Sequence, residues 1–169
     1  HLSIRRQRQM CIRDRYKEYL VTEKSDGERV AVLFGRTDDY KEEAYTVLFR
    51  RNREIRILSV QNVDDTLYNG TLMDGEWLEN HFRIFDVVAV EGFNKKGKTF
   101  PKRLCDARTA LQQFTPVNWS VDVKAFFPLH QLSTLQTEID NGEKGKCDGL
   151  IFMPVEDAVT KLSLIHISE

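Results

Sequence analysis

Short apolar runs alternate with clusters of charged and turn-forming residues along most of the chain. Residues 19–22 and 29–34 read as strands around a tight turn. Residues 45–50 and 55–60 read as a hairpin closed by the polar stretch 51–54, and 71–78 with 82–90 as a further strand pair. The Gly- and Lys-rich stretch 91–101 reads as a loop. Two segments change to a helical period. In 106–114, with Asp106 as N-cap, Ala107, Ala110, Leu111 and Phe114 share one face; in 132–139, Leu132, Leu135 and Ile139 do. Residues 120–127 return to strand, and 150–153 form a short apolar strand. There is no repeat and no low-complexity segment. This pattern predicts an α+β fold of mainly antiparallel sheets with flanking helices.

Composition narrows the class only modestly. The 169 residues carry a formal net charge of -1, with 41% hydrophobic and 30% charged residues. That suits one soluble globular domain, and the balance gives no global attraction to nucleic acid. No apolar run approaches the ~18 residues of a membrane span, and the basic N-terminus has no apolar stretch behind it. No membrane partner is therefore expected. Cys11, Cys105 and Cys147 are odd in number and far apart, which speaks for a reducing compartment, nucleus or cytoplasm, and against a disulfide framework or zinc site. His1, His81, His130 and His166 show no metal-ligand spacing. Lys95, Lys96, Lys98, Lys102 and Arg103 form one basic cluster, read mainly as a solvated loop and alternatively as a contact for a triphosphate or an RNA 5′ end.

The sharpest chemical signal is Lys24-Ser25-Asp26-Gly27-Glu28-Arg29, of the form Lys-x-Asp-Gly-x-Arg, set between two apolar strands. Asp26-Gly27 suits a sharp turn in which Gly27 takes a positive φ, bringing Lys24 and Arg29 toward one pocket. A lysine amine must lose its proton to act as a nucleophile. A neighbouring cation such as Arg29, or a metal ion, favours that loss. The freed amine can attack the α-phosphate of a nucleoside triphosphate.

This segment resembles the first signature motif of the covalent nucleotidyltransferases, which include mRNA capping enzymes and ATP-dependent DNA and RNA ligases. Three companions follow in the family's order: Asp74-Gly75-Glu76, the stretch Phe82–Val90 with Phe85-Asp86, and Cys147-Asp148-Gly149-Leu150-Ile151-Phe152. The resemblance spans residues 16–154. It implies a nucleotidyltransferase domain, ATP-grasp-like in architecture, with Lys24 as the covalent nucleophile and Ser25, Asp26, Gly27 and Arg29 around the nucleotide. Arg29 and Glu76 would meet the ribose, Phe85 would stack on the base, and Asp148 and Glu76 would hold the divalent cation, Mg2+ or Mn2+. Asp86 reads as structural.

Within that superfamily the string Asp148–Pro154 is similar to capping enzymes, and ligases more often carry Glu-Gly followed by a basic residue. Guanine presents O6 as an acceptor where adenine presents a donor, and lysine can only donate. Lys124, on the strand expected at 120–127, stands where the family has a lysine before its fourth motif and can read O6 together with Ser25. The reading is an mRNA guanylyltransferase that takes GTP, forms a lysyl–GMP intermediate and passes GMP to the diphosphate 5′ end of RNA, with triphosphatase and methyltransferase domains or subunits as partners. The alternatives are the adenylation domain of an ATP-dependent ligase and a non-catalytic nucleotide-binding module. The pattern departs at the ends. The family's fifth motif, a strand with two lysines a residue apart, has no match, since Lys161 stands alone, and no OB-fold follows. Residues 1–15 and 161–169 resemble translated adaptor read-through. The expectation is an incomplete domain over 16–160, poor or dead in transfer by itself.

Overall fold

The computed structural model describes residues 19–145, 147–156 and 165–167, with 147, 148 and 165–167 described as backbone alone. These residues fall into two compact units. One joins the chain up to Asp26 with the stretch from Ala125 onward, and the other is Gly27–Lys124. The expectation of foreign ends falls almost entirely outside the described residues.

The larger unit is built on one sheet. It contains β2 (Glu28–Arg36), β3 (Ala44–Arg50), β4 (Ile55–Ile57), β6 (Thr71–Leu78), β7 (His81–Val90) and β10 (Ser120–Val123) in the order β10-β7-β6-β2-β3-β4, with β8 (Phe93–Asn94) pairing with β7. All neighbours are antiparallel except β10, which runs parallel to β7. β5 (Ser59–Gln61) and β9 (Thr115–Val117) make a separate pair. Alternation along β2 and β6 puts Val30, Val32, Phe34, Met73 and Trp77 into the core. Helix α1 (Phe100–Leu111) adds Ala107 and Ala110 to it. Phe34, Phe114 and Trp119 pack in series, with ring centroids 4.9 Å apart in a tilted pair and 6.0 Å apart in a stacked one. Buried Trp119 places its indole N–H 2.7 Å from the Ser59 carbonyl, so its polar edge is satisfied inside the apolar cluster.

The smaller unit has the sheet order β11-β1-β12-β13, formed by β1 (Tyr19–Ser25), β11 (Phe127–Pro128), β12 (Cys147–Pro154) and β13 (Ile165–Ile167). Helix α2 (Leu132–Asp140) accompanies it, with Leu135 buried. Val21, Ile151 and Met153 are the buried apolar positions of β1 and β12, and the buried Thr22 hydroxyl donates to the Ala125 carbonyl at 2.8 Å.

Several expectations need correction. β1 and β2 flank the turn as expected but pair in different sheets. The strand expected over 55–60 is broken at Leu58, which is buried and donates its N–H to the Thr46 carbonyl at 2.9 Å, so β4 and β5 serve different partners. The strand expected over 120–127 ends at Val123 and resumes at Phe127 in the other unit. The helix expected from Asp106 begins at Phe100, with Thr99 as N-cap and a proline in its first turn. Its buried stripe runs Phe100, Arg103, Leu104, Ala107, Ala110. An arginine in that stripe hides its first half from a search for apolar periodicity, and Asp106 lies mid-helix. Phe114, expected on the helix face, is buried just beyond its end. No helix of the described residues is long and apolar enough to cross a membrane.

Candidate functional site

The six-residue signature spans both units. Lys24 and Ser25 end β1, both half-buried, and exposed Asp26 follows. On β12 the register pairs Leu150 with Glu23 and Cys147 with Ser25, with an irregularity between. Lys24 on one strand and Asp148-Gly149 on the other fill that interval. Gly149 has φ 132°, a value that costs any other residue, so Asp-Gly here marks a bulge within a strand. The Asp148 side chain lies outside the described residues.

Gly27, Arg29, Asp74, Glu76, Phe85 and Lys124 all belong to the larger unit. Gly27 does not have the positive φ expected of it. Its requirement is steric: a Cβ there would lie 3.0 Å from Glu76 Cβ. Gly75 is needed for the same kind of reason on the β6–β7 seam. A Cβ there would come under 3.0 Å from both the Arg83 carbonyl oxygen and the Phe82 ring. Backbone cannot yield as a flexible side chain can, so Gly75→Ala is expected to destabilise the protein by about 1–3 kcal/mol, measured as a lowered urea midpoint with an unchanged slope.

Arg29 is held by Asp74, with Nη2 to Oδ2 at 2.7 Å and Nε to Oδ1 at 3.3 Å. Its guanidinium also lies 5.6 Å from the centre of the Phe85 ring. Asp74 is the partner that sequence reasoning left without a role. The pair changes the expected electrostatics, because the Arg29 guanidinium is compensated by a carboxylate. What Arg29 retains is its unused N–H donors, suited to hydroxyl oxygens.

Phe85 is half-buried. β6 and β7 pair Gly75 with Ile84 and Asp74 with Asp86, leaving Phe85 as the extra residue of a bulge. The next residue is locked in place. Asp86, 1% exposed, accepts from Arg103 Nε at 2.7 Å and Nη2 at 3.2 Å and from the Val87 N–H at 2.8 Å. Burial raises the Asp86 carboxyl above its ordinary range, against the opposing pull of the Arg103 guanidinium and the Val87 amide. Asp86 is thus structural, as expected. Arg103 is removed from the basic cluster, because it is fully buried and also donates to the Lys98 carbonyl at 2.7 Å. Lys95 and Lys102 both face Asp106, at 3.3 Å and 3.4 Å, which reduces the cluster further.

Lys124 follows β10, and its N–H donates to the Ile84 carbonyl at 2.7 Å. Only 1% of its side chain is exposed, and Nζ lies 3.3 Å from Glu76 Oε1. It is a buried cation beside a candidate ligand group. Its burial had no signal in the sequence, since the Glu76 partner is 48 residues away. Among the described residues no three His, Cys, Asp or Glu side chains converge as a metal cluster. Glu76 is the one expected metal ligand whose side chain is described, and it is engaged by Lys124. Sequence reasoning also missed a polar network at the β7–β10 seam. There His81 Nε2 lies 2.7 Å from Asp122 Oδ1, Arg83 Nε donates to the same oxygen at 3.1 Å, and Ser120 Oγ contacts His81 Nδ1.

The family model described as mRNA capping enzyme, catalytic domain, matches residues 2–163. A solved structure of a Lig E DNA ligase, described as binding DNA with a minimal scaffold, is similar with a TM-score of 0.51 and 18% identity, over 85% of this chain and 58% of that one. The ligase domain of LigD from M. tuberculosis is similar with a TM-score of 0.51 and 13% identity, over 83% of this chain and 48% of that one. The chain thus spans about half the length of the ligase chains it matches, and at these identities the likeness concerns the nucleotidyltransferase fold alone.

Proposed function

Because the chain belongs to the mRNA capping enzyme catalytic-domain family, within the covalent nucleotidyltransferases, we propose that its protein is an mRNA guanylyltransferase acting through Lys24. The observation that carries the choice of guanine is Lys124. A buried ammonium beside Glu76 offers donors only, and a donor fits guanine O6 while opposing the adenine amino group.

The reaction has two displacements. The Lys24 amine, deprotonated, attacks the α-phosphorus of GTP. A P–N bond forms, the bond to the bridging oxygen breaks, and pyrophosphate leaves. A terminal oxygen of the RNA 5′-diphosphate then attacks the same phosphorus, the P–N bond breaks, and the lysine amine regains a proton. Phe85 provides a flat face for the base, and Arg29 donates to the ribose hydroxyls while Asp74 holds its plane. Ser25 adds a hydroxyl toward the base, Asp26 and Gly27 shape the turn, and Glu76 and Asp148 are the oxygen donors for Mg2+ or Mn2+. Such a cation, when bound, would neutralise the departing pyrophosphate. RNA triphosphatase and methyltransferase activities would act before and after this step.

The test is parallel incubation with α-labelled GTP and ATP in the protein extended through the two-lysine strand that the resemblance implies. Denaturation-stable label from GTP supports the reading. Label from ATP alone moves the protein to the ligases, the other branch of the superfamily that the sequence motifs resemble. Saturable GTP binding without an adduct would make it a non-catalytic module. Lys124→Met is expected to reduce the preference for GTP over ATP about tenfold or more, measured as the ratio of labelling efficiencies.

A further inference from the structure

One concave feature of the larger unit extends from Arg29 and Asp74 past residues that this scheme does not use. A shallow, open groove of about 360 Å³ crosses β2, β3 and β6, within the ~300–1,000 Å³ range of ligand sites. Its lining combines three arginines, Arg29, Arg50 and Arg51, with the apolar residues Ala31, Phe49 and Leu72. The register explains the grouping: Ala31 pairs with Phe49 on one side and with Asp74 on the other, and Leu33 pairs with Leu72. Asp74 is the one carboxylate in the lining, and Arg29 compensates it. Arg50 is paired with Glu28 outside the groove. Arg51, in the turn after β3, is exposed.

We infer that this groove is a subsite for the phosphodiester backbone of the acceptor RNA next to its 5′ end. The inference rests on the guanylyltransferase reading and adds to it a path for the second substrate. Arginines bind phosphate oxygens through paired N–H donors. An apolar floor beside them suits the sugars and bases of a single strand, which a site for free phosphate would not need. The groove adjoins the nucleotide residues through Arg29, which both lines it and lies 5.6 Å from the Phe85 ring. An acceptor strand that passes the proposed nucleotide contacts Arg29 and Phe85 can therefore continue along the same sheet. The unpartnered donors of Arg51 make it the strand's main anchor.

The experiment measures binding of a short fluorescent 5′-diphosphate RNA to the whole chain by anisotropy, at several salt concentrations. Arg51→Glu is compared with Arg53→Glu, an exposed residue of the same turn that does not line the groove. Both variants change net charge equally. Arg51→Glu is expected to weaken RNA binding about tenfold and to reduce the salt slope by about one, with Arg53→Glu within twofold of wild type. Equal losses in the two variants, or no RNA binding by wild type, overturn the inference. GTP labelling of the extended protein separates the two ideas. Arg51→Glu leaves it unchanged if the groove serves RNA, and a wild type that binds RNA through Arg51 without GTP labelling contradicts the guanylyltransferase reading alone.

Discussion

Arg103→Ala is expected to cost about 3–5 kcal/mol of stability, the range for breaking a buried ion pair by removing one partner. Neither member of the pair can be rescued by solvent: Arg103 is fully buried and Asp86 is 1% exposed. The substitution also frees the Lys98 carbonyl and leaves a void at the first turns of α1. Urea denaturation would read the loss directly. The pH dependence of the variant has a definite sign. Burial already raises the Asp86 carboxyl above 3.8, and Arg103 is the main influence opposing that rise. Without it the carboxyl goes higher in the folded state than in the unfolded one. The unfolded chain then releases its proton first as pH rises, so the variant loses stability upward from about pH 4 and recovers part of it below. The double change Asp86→Leu with Arg103→Met removes both charges and is expected to recover most of the loss. Because Asp86 directly follows the bulged Phe85, the same pair fixes the strand that carries the proposed base platform.

Lys24→Ala is expected to abolish covalent nucleotide transfer in the extended protein, a fall of at least about a thousandfold, since the Lys24 nitrogen supplies the electron pair that forms the P–N bond. Lys24→Arg separates charge from nucleophilicity. A guanidinium keeps the positive charge but does not deprotonate in proteins, so it is expected to be equally inactive while binding GTP within a few-fold of wild type. Quantifying labelled protein on a denaturing gel, beside equilibrium GTP binding, checks both variants.

The sequence made the motifs legible because each is a local string. Lys24 to Arg29, Asp74 to Glu76, Phe85 and Asp148 could be read in order, and β6 and β7 were visible as alternating runs with a short turn between them. What stayed hidden depends on partners distant along the chain. Arg103 resembles one more cation of a lysine-rich loop until Asp86, 17 residues away, is seen to neutralise it. That misreading also displaced the start of α1, because a charged residue occupies a buried position of the helix stripe. Lys124 could be singled out as a donor to the base, but its burial shows only once Glu76 is placed beside it. Gly27 could be singled out, but for the wrong cause: a turn suggested positive φ, whereas the constraint is the proximity of Glu76 Cβ. Arg29 was read as a nucleotide contact, yet its pairing with Asp74 requires the β2–β6 register that sets Ala31 opposite Asp74. In each case the residue type was informative and its charge state of affairs was not, because electrostatic compensation is a property of the folded arrangement.

The most direct test of the central claim is to locate the nucleotide by mass spectrometry after incubating the extended protein with GTP and magnesium. The account predicts one guanylate, on the peptide containing Lys24, absent in Lys24→Arg. A guanylate on a different lysine, or an adduct formed from ATP and not from GTP, would contradict it.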